Sequence, residues 1–334
     1  MKFLLFTIIF CATLFGETVL KIATYNVENL FDLQKSGHEY SEYIPNTASG
    51  WNQKNYKIKL KNIAQVIRDI NADIIALQEV ESLQALLDLR FTLKQNGLYY
   101  QYYSIADKKN TTVKVALLSK LPFIYSKELS VTQSSEYRNI LETKFKINNK
   151  ELYIFTNHWK SKSGPESMRV LSAKTLKKRV MEIGFEKNII LLGDFNSDYE
   201  EYIKFKRKRK HNNTDGITGI NHILGTINQR DSTKRIKYTK ESFYNLWYDT
   251  NKEKRYTYIY RGKKEVLDNI LISQSLLVNK DISYVSGTIS NFDEEYLFKK
   301  KSIKRWEISR AKVRKHRGKG YSDHLPLTAK FKIN

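Results

Sequence analysis

The sequence predicts an α/β protein in which sheets pack face to face with helices outside. Three observations carry that expectation. Apolar strand-like runs alternate with helix-period segments in the first third of the chain, the pattern of α/β layering. Strand-like runs then recur to the C-terminus, with one more long helical segment among them. Several of these runs are uninterrupted apolar stretches that read as buried strands.

The elements follow in order. Lys21 to Val27 reads as a strand with Asn26 near its end. From Asn55 to Ile70, the residues Ile58, Ile63, Val66, Ile67 and Ile70 recur at helix spacing. Asp73 to Val80 is a buried strand, and Ser82 is placed to cap a helix running to about Gln95. Strands are predicted at Val113 to Ser119, Leu141 to Ile147 and Leu152 to Asn157, the last two joined by an Asn148-Asn149-Lys150 hairpin turn. Pro165 suits the first turn of a helix lasting to about Ile183. Asn188 to Leu192 is a strand that ends on Gly193-Asp194-Phe195-Asn196. Tyr199 to Lys240 is polar and loop-rich, and strands resume at Tyr256 to Tyr260, Val266 to Ser273 and Leu327 to Ile333.

Domain organisation is simple. Met1 and Lys2 precede an uncharged apolar stretch, Phe3 to Phe15, which is the pattern of a secretory signal peptide and too short to span a bilayer as a helix. Residues 1–16 are therefore expected to be a signal peptide, and residues 17–334 one domain, secreted or periplasmic. Leu14 departs from the small residue preferred at a cleavage site, so an uncleaved anchor is the alternative. Cys11, the only cysteine, lies inside this segment, which excludes disulfides and thiolate metal sites from the mature chain. Nothing between Val19 and Asn334 reads as a linker or a repeat.

The net charge is +23, which favours polyanionic partners. A composition rich in Lys, Asn, Ile, Tyr and Phe accounts for part of it, but not for its concentration in two runs. Residues 204–210 carry six positive charges and no acid, and residues 299–319 carry eleven against Glu307 alone. Both runs adjoin polar residues at strand ends, so both can flank a site. Trp306 interrupts the second run and either stacks on bases or packs.

Chemistry is expected where polar groups interrupt apolar runs. Glu79 ends one such run, where a carboxylate is costly unless a cation or a donor offsets its desolvation. Asn26 ends another, and both offer hard oxygen ligands suited to Mg²⁺. Capping of the next helix is the alternative role for Glu79. His158 follows Asn157 at a strand end, Asp268 and Asn269 break a third run, and Asp323-His324 precede the last strand. The other histidines, His38, His211, His222 and His316, sit in polar stretches and are expected to be solvated.

Six motifs in order give the chain its resemblance. They are Ala23-Thr24-Tyr25-Asn26, Leu77-Gln78-Glu79-Val80, Thr156-Asn157-His158-Trp159, Gly193-Asp194-Phe195-Asn196, Leu267-Asp268-Asn269-Ile270-Leu271 and Ser322-Asp323-His324-Leu325-Pro326. The chain resembles the endonuclease/exonuclease/phosphatase superfamily, the fold of deoxyribonuclease I, and within it a bacterial secreted nuclease. The resemblance implies a four-layer sandwich of two mixed sheets with helices outside. It also implies a metal, Mg²⁺ or Mn²⁺ with Ca²⁺ as a structural option, held by Glu79 with Asn26 and with Asp323 beside it. Asp194 and Asn196 would activate water, His158 and His324 would act on the phosphate, and Asp268 would orient His324. Arg138, Asn157 and Asn269 are the implied phosphate contacts. Many relatives carry a Tyr, Asp or Glu where this chain has Val113 and Lys114, so Lys114 is placed as a phosphate ligand and the partner of His158 stays open.

The function expected is hydrolysis of DNA, or of RNA, by an exported metal-dependent endonuclease. The substrate would bind through residues 204–210 and 299–319, and the protein would act as a monomer without an obligate protein partner. Two alternatives stand beside it: a phosphoesterase acting on sphingomyelin, another phospholipid or a phosphoinositide, and a non-catalytic polyanion-binding module.

Overall fold

A computed structural model describes residues 18–205, 211–226, 241–278 and 280–334. The expected signal peptide and most of the first basic run, residues 206–210, lie outside the described residues. Two large mixed sheets pack face to face. The first runs in the order Ile282–Tyr284, Leu327–Ile333, Thr18–Leu30, Ile74–Val80, Lys114–Ser119, Tyr102–Ile105, with Ser290–Asn291 also paired to Leu327–Ile333. The second runs Phe123–Leu129, Ile140–Ile147, Lys150–His158, Ile189–Asp194, Asp268–Ile272, Tyr244–Asn245.

Side-chain alternation divides even the uniformly apolar strands between two cores. Leu20, Ile22, Ile74 and Ala76 meet Phe145, Ile154, Ile190 and Leu192 between the sheets. Their neighbours Ala23, Tyr25, Ile75 and Leu77 face outward onto the helices Gln53–Ile70 and Leu83–Gln95. On the other side Phe155, Ile189 and Leu191 face Ala173, Leu176 and Val180 of the helix Glu166–Ile183. The result is the four-layer sandwich that the resemblance implied.

Two crossover units place the site. Thr18–Leu30 and Ile74–Val80 are parallel and joined through the helix Gln53–Ile70, and Lys150–His158 and Ile189–Asp194 are parallel and joined through Glu166–Ile183. Ligands of α/β sheets bind beyond the carboxyl ends of such strands. Those ends carry Asn26, Glu79, His158 and Asp194.

The local chemistry explains the boundaries. Asn52 accepts from the Lys54 and Asn55 N–H groups, so the first helix starts at Gln53, two residues before its first expected position. Ser82 caps the second helix through the Ala85 N–H at 3.0 Å. Asn148 and Asn149 both take positive φ, 47° and 64°, as a two-residue hairpin turn requires. Pro165 is not in the first turn; it is the cap residue, with extended backbone, and Glu166 begins the helix. The strands Tyr102–Ile105 and Phe123–Leu129 were not expected from the sequence. Each is an outermost strand, half-buried at most positions, and so carries no continuous apolar run. Among the described residues no helix is long and apolar enough to cross a membrane.

Candidate active site

The strand ends that meet here are bent into unusual backbone. Glu28, Asn29, Glu79 and Asn196 take positive φ of 50°, 59°, 64° and 48°, and pairing slips between Asn26 and Leu30 and between Gln78 and Val80. Bulges of this kind re-aim side chains beside active sites, and each left-handed non-glycine residue costs about 1–3 kcal/mol. Gly193, with φ of 131°, is required by close approach: a Cβ there would lie 2.1 Å from the Asn157 carbonyl oxygen.

Asp194 is the centre of the cluster. Its Oδ2 accepts from Asn26 Nδ2 at 3.1 Å and lies 3.6 Å from His158 Nε2 and 3.9 Å from His324 Nε2. Its Oδ1 accepts the Asn196 N–H at 2.8 Å. Asn26 Nδ2 also reaches Glu79 Oε1 at 3.1 Å, and Glu79 Oε2 accepts the Asn29 N–H at 3.0 Å. His324 Nδ1 is 2.7 Å from Asp268 Oδ2. Glu79, His158, Asp194 and His324, with Arg138, Asn196 and Asp323, line a cleft of about 680 Å³ that also includes Asn29, Tyr40, Tyr258 and the turn Ser161–Ser163, while Asn26 and Asp268 support it from behind.

Environment drives the two histidines apart. Burial, with the positive charges of Arg138 and His324, holds His158 well below its ordinary value, so it is neutral. Burial opposes charge on His324 too, but Asp268, Asp194 and Asp323 outweigh it and raise that imidazole well above its ordinary value. Burial raises Asp194 to about 7, with Asp268 and Glu79 adding to the rise against His324 and the Asn196 N–H. Burial likewise raises Glu79, and Asp323 is the charge that presses on it most. Two titratable groups of one kind pushed in opposite directions are the arrangement expected of an acid–base site.

Glu79, Asp194, Glu265 and Asp323 line this cleft and Asp268 stands behind His324, five carboxylates against His324, Arg138 and Lys162, the last already paired with Glu201 at 3.1 Å. A hard divalent cation fits that imbalance and that donor chemistry. Asp194, Asp268 and His324 have ligand atoms within 4.8 Å of one another. Occupying that group would break the 2.7 Å His324–Asp268 contact, so the oxygen-rich side around Glu79 fits such a cation better. Asp323 is shared: its Oδ2 lies 3.2 Å from Arg305 Nη2.

Several expected site residues are placed differently. Asn26 directs its amide nitrogen at Glu79 and Asp194, while its oxygen accepts the Glu28 N–H at 3.0 Å, so it gathers two carboxylates as a donor rather than offering an oxygen ligand. Asn157 is fully buried, donating to Phe155 O at 2.9 Å and accepting Trp159 Nε1–H at 3.1 Å; alternation turns it away from the cleft. Asn269 is also fully buried, between Asn245 and the Ser197 carbonyl. Neither lines the cleft. Lys114 donates to the Glu81 carbonyl and faces Asp107 at 3.7 Å, outside the cleft, and His158 Nδ1 has no hydrogen-bond partner among the described residues. Trp306 packs, fully buried, and His316 is buried rather than solvated, accepting Trp306 Nε1–H at 2.8 Å.

Other residues at the site or packed beside it were passed over in the sequence. Glu28 accepts from Arg305 Nε at 2.9 Å and from the Trp306 N–H at 2.9 Å, and burial with Asp323 raises it to about 7. Buried Lys59 donates to the Tyr321 carbonyl at 2.8 Å, and burial lowers it to about 8. Glu28 was signalled by the polar alternation Thr24, Asn26, Glu28, and Lys59 by its place on the apolar stripe between Tyr56 and Ile63. Arg305 and Tyr40 carry no such mark.

Residues 21–332 match the endonuclease/exonuclease/phosphatase family. The chain belongs to that family. The family's members are phosphoesterase hydrolases that use divalent metals, in keeping with the cleft's donor set. No curated protein matches the sequence. Among solved structures, an endonuclease/exonuclease/phosphatase family protein from Bacteroides thetaiotaomicron is similar at 15% identity and a TM-score of 0.56, covering 96% of this chain and 100% of that one. D. rerio TDP2 complexed with single strand DNA product is similar at 13% identity and a TM-score of 0.57, covering 94% and 99%. Mannosyl-6-phosphatase from Bacteroides thetaiotaomicron VPI-5482 is similar at 16% identity and a TM-score of 0.53, covering 93% and 99%. At these identities the likeness to this family's structures extends to the fold alone.

Proposed function

We propose that this protein is an exported, divalent-metal-dependent phosphodiesterase that hydrolyses nucleic acid, with DNA as the leading substrate. The observation that carries the reading is the meeting of neutral His158, charged His324 and Glu79 around one carboxylate, Asp194, in a cleft bordered by Arg138.

Asp194, raised to about 7, is matched to take a proton from water near neutral pH. Asn196 steadies that base through its N–H and is itself anchored by donating to the Trp159 carbonyl at 3.1 Å. The water oxygen bonds to phosphorus as the bond to the leaving oxygen breaks, with no covalent enzyme intermediate. His324 supplies a proton from Nε2 to the leaving oxygen, while Asp268 holds Nδ1–H and stabilises the imidazolium. His158 and Arg138 donate hydrogen bonds to the phosphate oxygens as charge builds there. The cation that Glu79, with Asp323 nearby, would hold supplies neutralisation of the phosphate and of the leaving oxygen. The substrate class follows from the basic run 299–319, whose Arg305 touches Asp323 at the cleft. Export follows from the apolar run Phe3 to Phe15 and predicts a shortened N-terminus in material recovered outside the cell.

The test is a panel of duplex DNA, single-stranded DNA, RNA and sphingomyelin, with Mg²⁺ or Mn²⁺ and with EDTA. Metal-dependent cleavage of a nucleic acid is expected, reduced about 100- to 10,000-fold in Glu79→Ala and His324→Ala. Intact DNA and RNA under every metal refute the reading, and release of phosphocholine transfers it to lipid.

A further inference from the structure

A second concavity of about 970 Å³ adjoins the catalytic cleft and shares two wall residues with it, Asn29 and Tyr40. One of its walls is residues 305–317, part of the second basic run. That wall is a pinned hairpin. Ile308 pairs with His316, the Ser309 N–H donates to the Lys315 carbonyl at 2.9 Å, and Arg317 N–H donates to the Glu307 carbonyl at 2.9 Å. Its base is held in the core. His316 takes Trp306 Nε1–H on Nδ1 and so carries its own hydrogen on Nε2, which lies 2.8 Å from the Glu42 carbonyl. The His316 N–H donates to the Ser49 carbonyl at 2.9 Å. A rigid arm therefore projects beside the active site.

The charges on that arm are not balanced. Each acid in the concavity already has a cation: Glu28 holds Arg305, Glu42 holds Arg314 at 2.8 Å, and Glu307 holds Lys299 at 2.9 Å. Arg310 and Arg317 also line it, are exposed, and have no ion pair among the described residues. Arg305 stands where the two spaces meet, between Glu28 of the concavity and Asp323 of the cleft.

We infer that this arginine-lined groove is a binding track for the phosphodiester chain on one side of the scissile phosphate, with Arg310 and Arg317 as its phosphate contacts. The inference rests on the nuclease reading and deepens it: the enzyme acts best on a polymer that extends beyond the cleft, not on an isolated ester. The groove continues from the cleft through Asn29 and Tyr40, so its cations lie where a chain running on from the scissile phosphate would pass. Guanidinium groups with no competing carboxylate are suited to paired contacts with phosphate oxygens.

The test separates binding from chemistry. Fluorescence anisotropy with a labelled single-stranded dodecanucleotide in EDTA is compared between the full chain and Arg310→Ala/Arg317→Ala. Kd is expected to rise about tenfold, and the slope of log K against log salt to fall by about 1.4, two phosphates at about 0.7 each. With metal, hydrolysis of bis(p-nitrophenyl) phosphate is expected to be unchanged, while the advantage of the dodecanucleotide over a dinucleotide is lost. Unchanged Kd and salt slope overturn the track. So does equal loss on the small diester, or a variant defect confined to phosphatidylcholine–phosphatidylserine vesicles. Because binding is read without metal, a wild-type chain that cleaves no polynucleotide refutes the proposed function, while the anisotropy still decides for or against the groove.

Discussion

Replacing Asp268 with Asn tests the site at its most defined contact. The Asp268 carboxylate is buried and lies 2.7 Å from His324 Nδ1, and its charge is the largest influence raising that imidazole against burial. The variant keeps the shape and an acceptor oxygen but removes the charge. A hydrogen bond to a charged group contributes about 1.5–3 kcal/mol, which at about 1.4 kcal/mol per pKa unit lowers His324 by about one to two units. The alkaline limb of the kcat/KM profile on a small diester is therefore expected to move down by that amount, with the loss growing to about 10- to 100-fold at pH values above the native limb. Stability carries a second signature. A histidine whose folded pKa is raised above its ordinary 6.5 stabilises the fold fully below that value and loses the contribution as pH climbs through the folded pKa. The gap in stability between the native protein and Asp268→Asn should thus be widest near pH 5 and narrow toward pH 9, measured by urea unfolding. A gap that is constant with pH, or an alkaline limb that does not move, refutes the ion pair and the acid role of His324.

Three further outcomes follow from the same geometry. Gly193→Ala forces a Cβ to within 2.1 Å of the Asn157 carbonyl oxygen, so urea unfolding should register a loss of several kcal/mol, and cleavage should fall because Asp194 is displaced; a variant of native stability contradicts the close approach. Asn157→Ala should cost about 1–3 kcal/mol in the same measurement but leave KM for a small diester unchanged, since its polar atoms serve the fold; a raised KM restores it as a phosphate contact. His158 is held below its ordinary 6.5, so it costs stability as pH falls below that value, and His158→Gln should unfold less readily than the native protein on acidification from pH 6.5 to 5; equal acid sensitivity means that His158 is charged in the fold.

Most of the fold was legible because its elements are long and apolar. The helix at Gln53–Ile70, the strand at Ile189–Asp194 and the Asn148-Asn149 turn each follow from local rules of periodicity, capping and backbone preference. The strands Tyr102–Ile105 and Phe123–Leu129 were not legible, because an outermost strand has less neighbouring surface to bury against and its sequence stays mixed. At the site, Glu79, Asp194, Asp268 and His324 were legible as polar groups that a core does not need. Asn157 and Asn269 bear the same mark for another reason: they satisfy backbone and indole groups inside the sandwich.

By itself the sequence determined the layering, the family and the chemical types gathered at the strand ends, since these depend on the order and periodicity of residues along the chain. Tertiary structure alone decided which of those polar residues face one another. Asn26 and Asp194 are 168 residues apart in sequence and 3.1 Å apart in space, and the proton preferences of His158 and His324 arise only from that convergence. The same holds for Arg305, which is one cation among eleven in its run until the fold sets it against Glu28 and Asp323. Charge and burial act through distance, and distance between remote segments exists only once the sheets have packed.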